Sequence, residues 1–518
     1  MVWAYLWPQS GDGDAATHFL FARQGLWNPS IMMGSWGRVG QKLPLLIPAQ
    51  FGILAARWTS AFISVLCAWQ TIGLAKDLGL ARPLLAAPLL LFQPLVFNLA
   101  SDTMTELPFA LGLVVAIRLW WQRRWLISCL AISYLPLVRP EGFFLCAMWG
   151  LMVLGTNRIG SWHKRILLTA SLSTGIILWA TACAIICHDP TYFFHRGWSW
   201  PADSTTIYGH GSVFSYINHW PLYCGPIILP LWFLGLQRLG RQRILCASLV
   251  VILASQFFVS QAFCDEILCW PTLALIGALA WSRRREKITI AWWAFWLIFT
   301  VHTVLWWRGW FGSDGLIRIL ACVAPITAVI CLGGWNVAWD WLNKMRCPDL
   351  LRWSINSAIL AALLITAVIY YTQDPTHYRI FGERALCDFM RSRDILAGAP
   401  MLALRDPIAQ IELNLAPGEG NFIPFRLDRA AECAELLHAP IGTAGIWDDQ
   451  HTGEAFNVNL QDLPRLGFTV LREFRQTIGS HTLPLLIWRR HAIEQVFVVI
   501  RKDRLGELPV DLRSNLMK

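Results

Sequence analysis

The sequence has no Cys-x-x-Cys pair, no Cys/His spacing suited to a metal, no internal repeat and no low-complexity stretch. Its 14 cysteines therefore spell out neither a zinc site nor a disulfide framework. Most sit inside apolar runs, where cysteine acts as a small hydrophobe. Cys387 and Cys433 could pair in an oxidising compartment, although nothing in the sequence demands it. Charge is scarce as well. Only 15% of the 518 residues are Asp, Glu, Lys or Arg, against roughly 25% in soluble domains. That scarcity excludes an ordinary soluble enzyme, because the apolar side is correspondingly heavy: 55% hydrophobic residues, 30 tryptophans and a mean hydropathy of +0.46. The net charge of +10 does not point to nucleic acid, since most of the surplus Lys and Arg lies in short loops between apolar runs.

Those runs recur as expected when each crosses about 30 Å of hydrocarbon. They cover roughly 58–75, 83–101, 106–121, 125–138, 142–155, 166–187, 221–237, 244–263, 267–281, 288–307, 316–341 and 353–371. Several fall short of about 20 residues and are expected to tilt, kink or re-enter. Six basic loops, at 76–82, 122–124, 157–165, 238–243, 282–287 and 343–352, occupy alternate junctions. One assignment satisfies all six: they face the cytoplasm. The remaining loops, and everything after about 372, then face outside. An external first loop needs a span before it, and the seven residues "MVWAYLW" are too few to cross, so the start is expected to be truncated. Between that loop and the first full span, "GQKLPLLIPAQFGILAAR" (40–57) reads as an interfacial amphipathic helix broken by Pro44 and Pro48.

After residue 372 the pattern changes. Alternating apolar stretches at 401–404, 468–471, 482–488 and 495–500 read as strands, and "DRAAECAELLH" (428–438) reads as a helix with Asp428 at its cap. The expected architecture is an all-α polytopic membrane domain over 1–371, with about a dozen spans, followed by a small α/β extracytoplasmic domain over 372–518.

Four outer loops carry charge. "SGDGDAATHFLFARQG" (10–25) places Asp12 and Asp14 where a loop enters a helix, with His18 one turn beyond Asp14. The plain alternative is that a carboxylate simply caps the helix. "SDTMTE" (101–106) places Asp102 and Glu106 at the mouth of a span. "VRPEG" (138–142) sets Arg139 and Glu141 at a proline turn, where an arginine suits a phosphate or carboxylate or pairs with Glu141 or Glu106. "RGWFGSDGLIR" (308–318) ends on Arg318 just inside a span. Ionisable residues at such depth are costly and mark candidate sites. A transporter more often gathers its charges near the midplane. Carboxylates and arginines at the lipid–water boundary suit group transfer from a lipid phosphate. Asp12 could instead orient an acceptor or bind a divalent cation, Mg²⁺ or Mn²⁺.

On these residues the chain resembles the GT-C superfamily of polytopic glycosyltransferases, which includes the protein O-mannosyltransferases and the lipid A aminoarabinose transferases. "DAATHFLFAR" is similar to that family's acidic first outer loop. "SDTMTELPF" resembles its second outer loop, and "RRWLISCLAISYLPLVRPEGFFL" the pair of short spans that follow. The likeness covers about residues 10–375 and departs from the family where Gly13 separates two acids that many relatives hold side by side, and where the first span is lacking. It implies a polyprenyl-phosphate-linked sugar as donor and inversion at the anomeric carbon. It also implies a first-loop carboxylate as general base, Asp14 or Asp12. The acceptor would be a lipid, glycan or protein, and His18, Asp102, Glu106, Arg139, Glu141 and Arg318 would bind substrate. The expected location is a bacterial plasma membrane. A flippase or transporter of lipid-linked sugars is the competing reading, and a non-catalytic membrane protein with an outer binding domain is the third.

Overall fold

The computed structural model describes residues 12–195, 210–213, 215–218, 223, 225, 227–239, 288–309, 316–372, 376–404, 406–415, 429–449, 453, 458–478 and 493–507. The first described helix, α1 (Gly13–Gly25), starts one residue after Asp12, whose side chain caps it. The chain then divides into two compact units. One holds Pro29–Tyr371; the other joins α1 to the residues from Thr372 onward.

The first unit is helical. Its main elements are α2 (Ile53–Asp77), α3 (Glu106–Trp121), α4 (Trp125–Val138), α5 (Gly142–Gly155), α6 (Trp162–Cys187), α7 (Ile228–Leu239), α8 (Thr289–Arg308), α9 (Ala324–Lys344) and α10 (Asp349–Thr372). Five helices among the described residues are long and apolar enough to cross a membrane: Ile53–Asp77, Trp162–Cys187, Thr289–Arg308, Ile317–Lys344 and Asp349–Tyr371. Helices α3, α4 and α5 are shorter. At 1.5 Å per residue, the 16 residues of α3 reach only about 24 Å. The expected spans at 244–263 and 267–281 lie outside the described residues.

Two expected helices are broken by proline. The run at 83–101 forms Ala86–Leu91 and Pro94–Leu99, with Gln93 between them in extended backbone. Proline cannot donate to the preceding turn, and Gln93 Nε2 bridges the gap by donating to the carbonyls of Leu89 (3.0 Å) and Ala324 (3.2 Å). The 40–57 stretch forms one short turn of helix at Val39–Lys42 and two 3₁₀ turns, and regular helix resumes at Ile53. Its Leu43, Ile47 and Phe51 are exposed apolar side chains.

Backbone contact between helices is close where glycine permits it. A Cβ on Gly235 of α7 would lie 1.9 Å from the Ile330 carbonyl, and one on Gly334 of α9 would lie 1.9 Å from that of Leu231. Small residues at a crossing let two helices of a membrane bundle pack through dispersion rather than through a hydrophobic effect that lipid does not supply.

The second unit is an α/β sandwich. Four strands, β1 (Leu402–Leu404), β2 (Ala444–Asp448), β3 (Phe468–Ile478) and β4 (Ile493–Lys502), pair in the order β1-β2-β4-β3. The β1–β2 pairing is parallel and the other two are antiparallel. Successive strand residues point to opposite faces, so Ala403, Trp447, Val498 and Ile500 meet helix α13 (Arg429–His438) through Cys433 and Leu436. Leu402, Leu404, Ile446, Phe497 and Val499 meet helix α11 (Thr376–Ser392) through Leu386, Cys387 and Met390. The sheet thus separates Cys387 from Cys433, and the disulfide thought possible between them does not form. Strand β2 was not anticipated. All five of its residues are buried, so it lacks the apolar–polar alternation that marks a half-buried strand. The expected strand at 482–488 and the cap Asp428 lie outside the described residues.

Candidate functional site

The loop Ser101–Thr105 and the residue after it, Glu106, are buried throughout. A buried irregular loop must find partners for its backbone polar groups, and here basic and amide side chains supply them. Arg57, in the first turns of α2, donates from Nε to the Ser101 carbonyl (2.8 Å) and from Nη2 to Ser101 Oγ (3.2 Å), and stands 3.6 Å from Asp102 Oδ1. Gln41 Nε2 donates to the Thr103 carbonyl (2.9 Å), and Gln41 Oε1 accepts from Lys42 Nζ (2.7 Å). Arg38, held at a positive φ of 48°, donates from Nη1 to Thr105 Oγ1 (2.7 Å) and lies over the Trp36 ring.

Arg139 approaches the same loop from the turn between α4 and α5. Its Nη1 donates to Thr105 Oγ1 (2.8 Å) and Glu106 Oε1 (2.7 Å); its Nη2 and Nε donate to Glu141 Oε1 (2.8 and 3.2 Å). These bonds use four of the five N–H groups that a guanidinium carries. The turn that aims Arg139 is tight: a Cβ on Gly142 would come within 2.3 Å of the Pro136 nitrogen. His302 of α8 brings Nε2 to 2.9 Å from Glu141 Oε1, and Arg318, in the 3₁₀ turns of Ile317–Val323, brings Nε to 3.9 Å from Glu106 Oε1.

Arg38, Lys42, Arg57, Arg139 and Arg318 thus surround Asp102, Glu106 and Glu141, with basic groups in excess. Burial pushes the Lys42 ammonium well below its ordinary value, and the neighbouring charge of Arg38 adds to that. Burial alone would raise the Glu141 carboxyl, but Arg139 and His302 hold it well below the usual carboxylate range. An arrangement of this kind attracts an anion with several oxygens, because each added acceptor relieves repulsion among the buried cations.

The structure brings together five of the residues singled out in the sequence: Asp102, Glu106, Arg139, Glu141 and Arg318. Asp12, Asp14 and His18 belong to the other compact unit. There Asp12 Oδ1 accepts from the backbone N–H of Asp14 (2.8 Å) and Ala15 (3.4 Å), which is the capping role. Asp14 stands in the first turn, and His18 is buried on α1. Ala16 of α1 packs on Ile408 and Ile411 of helix α12 (Pro407–Glu412). Among the described residues, no group of three or more His, Cys, Asp or Glu side chains comes together that could hold a metal ion.

Arg38, Gln41, Lys42, Arg57, Thr105 and His302 were not anticipated. Arg57 and His302 carried a legible signal, a basic side chain inside an apolar run. Thr105 carried none.

No family model matches the chain, and no curated protein matches it. Among solved structures, the chain is similar to the crystal structure of ArnT from Cupriavidus metallidurans in the apo state, with a TM-score of 0.49 and 11% sequence identity, over 94% of this chain and 93% of that one.

Proposed function

We propose that the chain is a membrane glycosyltransferase that moves a sugar from a polyprenyl-phosphate donor to an acceptor hydroxyl on the extracytoplasmic face, inverting the anomeric carbon. The observation that carries this reading is the buried Ser101–Glu106 loop ringed by an excess of cations. When the sugar leaves, the bond from the anomeric carbon to the phosphate oxygen breaks and charge builds on that phosphate. Preorganised cations in a place of low dielectric stabilise such charge more strongly than water does. Arg318 is the more accessible of the two arginines first considered for this role, with 17% of its side chain exposed against 4% for Arg139. Arg318, Lys42 and the fifth N–H of Arg139 are the proposed phosphate contacts, and the other bonds of Arg139 hold the turn.

The acceptor hydroxyl must lose its proton as the new bond to the sugar forms. Asp14 is the proposed base, by the likeness of its loop to the acidic first loop of the GT-C family. Asp12 is the weaker choice because capping engages its carboxylate.

The test uses purified protein and a panel of labelled polyprenyl-phosphate sugars. A transferase releases polyprenyl phosphate and moves label to an acceptor. A flippase carries the intact donor across a vesicle membrane without releasing it, and that outcome would overturn the proposal. The proposed outer location of residues after 372 rests on the six basic loops. It is checked by fusing a reporter active only outside the cytoplasm after Lys518.

A further inference from the structure

We propose that His302 is a positioning residue for the phosphate site: through Glu141 it sets the direction in which Arg139 presents its remaining N–H. The inference rests on the phosphate site proposed above. It extends that site to a residue of α8.

The geometry is a short relay. His302 is fully buried, and its Nε2 lies 2.9 Å from Glu141 Oε1. The same oxygen accepts from Arg139 Nη2 and Nε. Glu141 and Arg139 share one turn, so their pairing alone lets both side chains swing together about it. Thr105 and Glu106 hold Nη1 at one end of the guanidinium. His302 supplies the contact that holds Glu141 from outside the turn, and so fixes the other end, where the spare Nη2 hydrogen lies. One neighbour restrains the histidine. Tyr216 packs beside its ring at 6.3 Å between centroids. The segment carrying Tyr216 is itself tied to α8, with the Gly211 N–H donating to the Trp306 carbonyl (3.2 Å) and Trp306 Nε1 donating to Ser215 Oγ (3.1 Å). A fork holds a phosphate well only when its direction is fixed, which is why a side chain that does not touch the ligand can govern affinity for it.

The test compares His302→Gln, whose amide nitrogen reaches nearly as far as Nε2, with His302→Leu, which fills similar space without a donor. Each is made in the wild-type and the Glu141→Gln backgrounds. Binding of decaprenyl phosphate in detergent micelles is measured for each, together with the unfolding midpoint without lipid. His302→Gln is expected to bind close to wild type. His302→Leu is expected to bind about tenfold or more weakly, since Glu141 then loses the polar contact that holds it from outside the turn. In the Glu141→Gln background, His302→Leu should cost little further affinity. Wild-type affinity in His302→Leu, or an equal loss in both backgrounds, overturns the relay. If His302→Leu does not fold, His302→Asn takes its place, since its shorter amide cannot reach Glu141. Weak binding by Asn with normal binding by Gln then supports the relay, and equal binding by both overturns it. Failure of the wild-type protein to bind decaprenyl phosphate overturns the phosphate site and this role with it. A destabilisation by His302→Leu that disappears in Glu141→Gln would then still report the contact between the two residues.

Discussion

Arg139 is bonded to Glu106, Glu141 and Thr105, all buried, and its removal makes a demanding test of the cluster. Arg139→Ala leaves two carboxylates away from water with one cation fewer between them. Breaking a buried pair by removing one partner costs about 3–5 kcal/mol, because the stranded charge is not compensated. The lower end applies here. Glu141 keeps His302 at 2.9 Å, and Glu106 keeps Arg318 at 3.9 Å. Neutralising the stranded partners should reverse part of the loss, since no carboxylate of the Arg139 pairs is then left buried without its cation, while Arg318 loses Glu106. Arg139→Leu combined with Glu106→Gln and Glu141→Gln is therefore expected to unfold nearer to wild type than Arg139→Ala alone. The 30 tryptophans give a fluorescence signal for unfolding, read at one protein concentration in one detergent. The triple variant is also expected to lose donor binding, separating stability from function. The reasoning fails if Arg139→Ala unfolds with the wild-type midpoint, or if the triple variant is no more stable than the single one.

Asp14→Asn should keep the fold and donor binding while turnover falls about 10²–10⁴-fold, the usual contribution of a general base; near-normal turnover removes Asp14 from that role. Asp12→Asn should keep both cap and activity, whereas Asp12→Ala should destabilise α1 by about 1 kcal/mol, measured by unfolding of the same protein. Gly334→Leu should destabilise the α7–α9 crossing by more than the about 1–3 kcal/mol typical of overpacking, because the added carbons meet the Leu231 backbone; an unchanged midpoint would show that the helices are not packed this closely. Glu141 has its pKa lowered in the fold, so its contribution to stability is complete above the ordinary carboxylate value and is lost as pH falls through the lower, folded value. Unfolding measured down a pH series should show that acid loss diminished in Glu141→Gln, and identical profiles would refute it.

Apolar runs with basic residues at alternate junctions were enough to identify a membrane chain and to place α3, α4, α5, α8 and α10 within a few residues. The reason is local. A span must satisfy its backbone within itself and show apolar side chains to lipid, so its composition alone betrays it. Strands β1, β3 and β4 were legible for a similar reason, since each carries a recognisable apolar stretch. Strand β2 was hidden because burial on both faces erases alternation. The charged outer loops were also legible one at a time, because an ionisable group beside an apolar run is conspicuous. What only the tertiary structure decided was their company. Asp102, Glu106, Arg139, Glu141 and Arg318 meet because α2, α3, α4 and α5 fold around one buried loop, whose carbonyls recruit Arg57 and Gln41 from segments more than forty residues away. Likewise, only tertiary packing sorted α1, with Asp12, Asp14 and His18, into the compact unit of the α/β domain. A hydrophobic pattern states that a helix has a face to bury. The choice of surface that buries it is made by long-range packing, which local pattern does not encode.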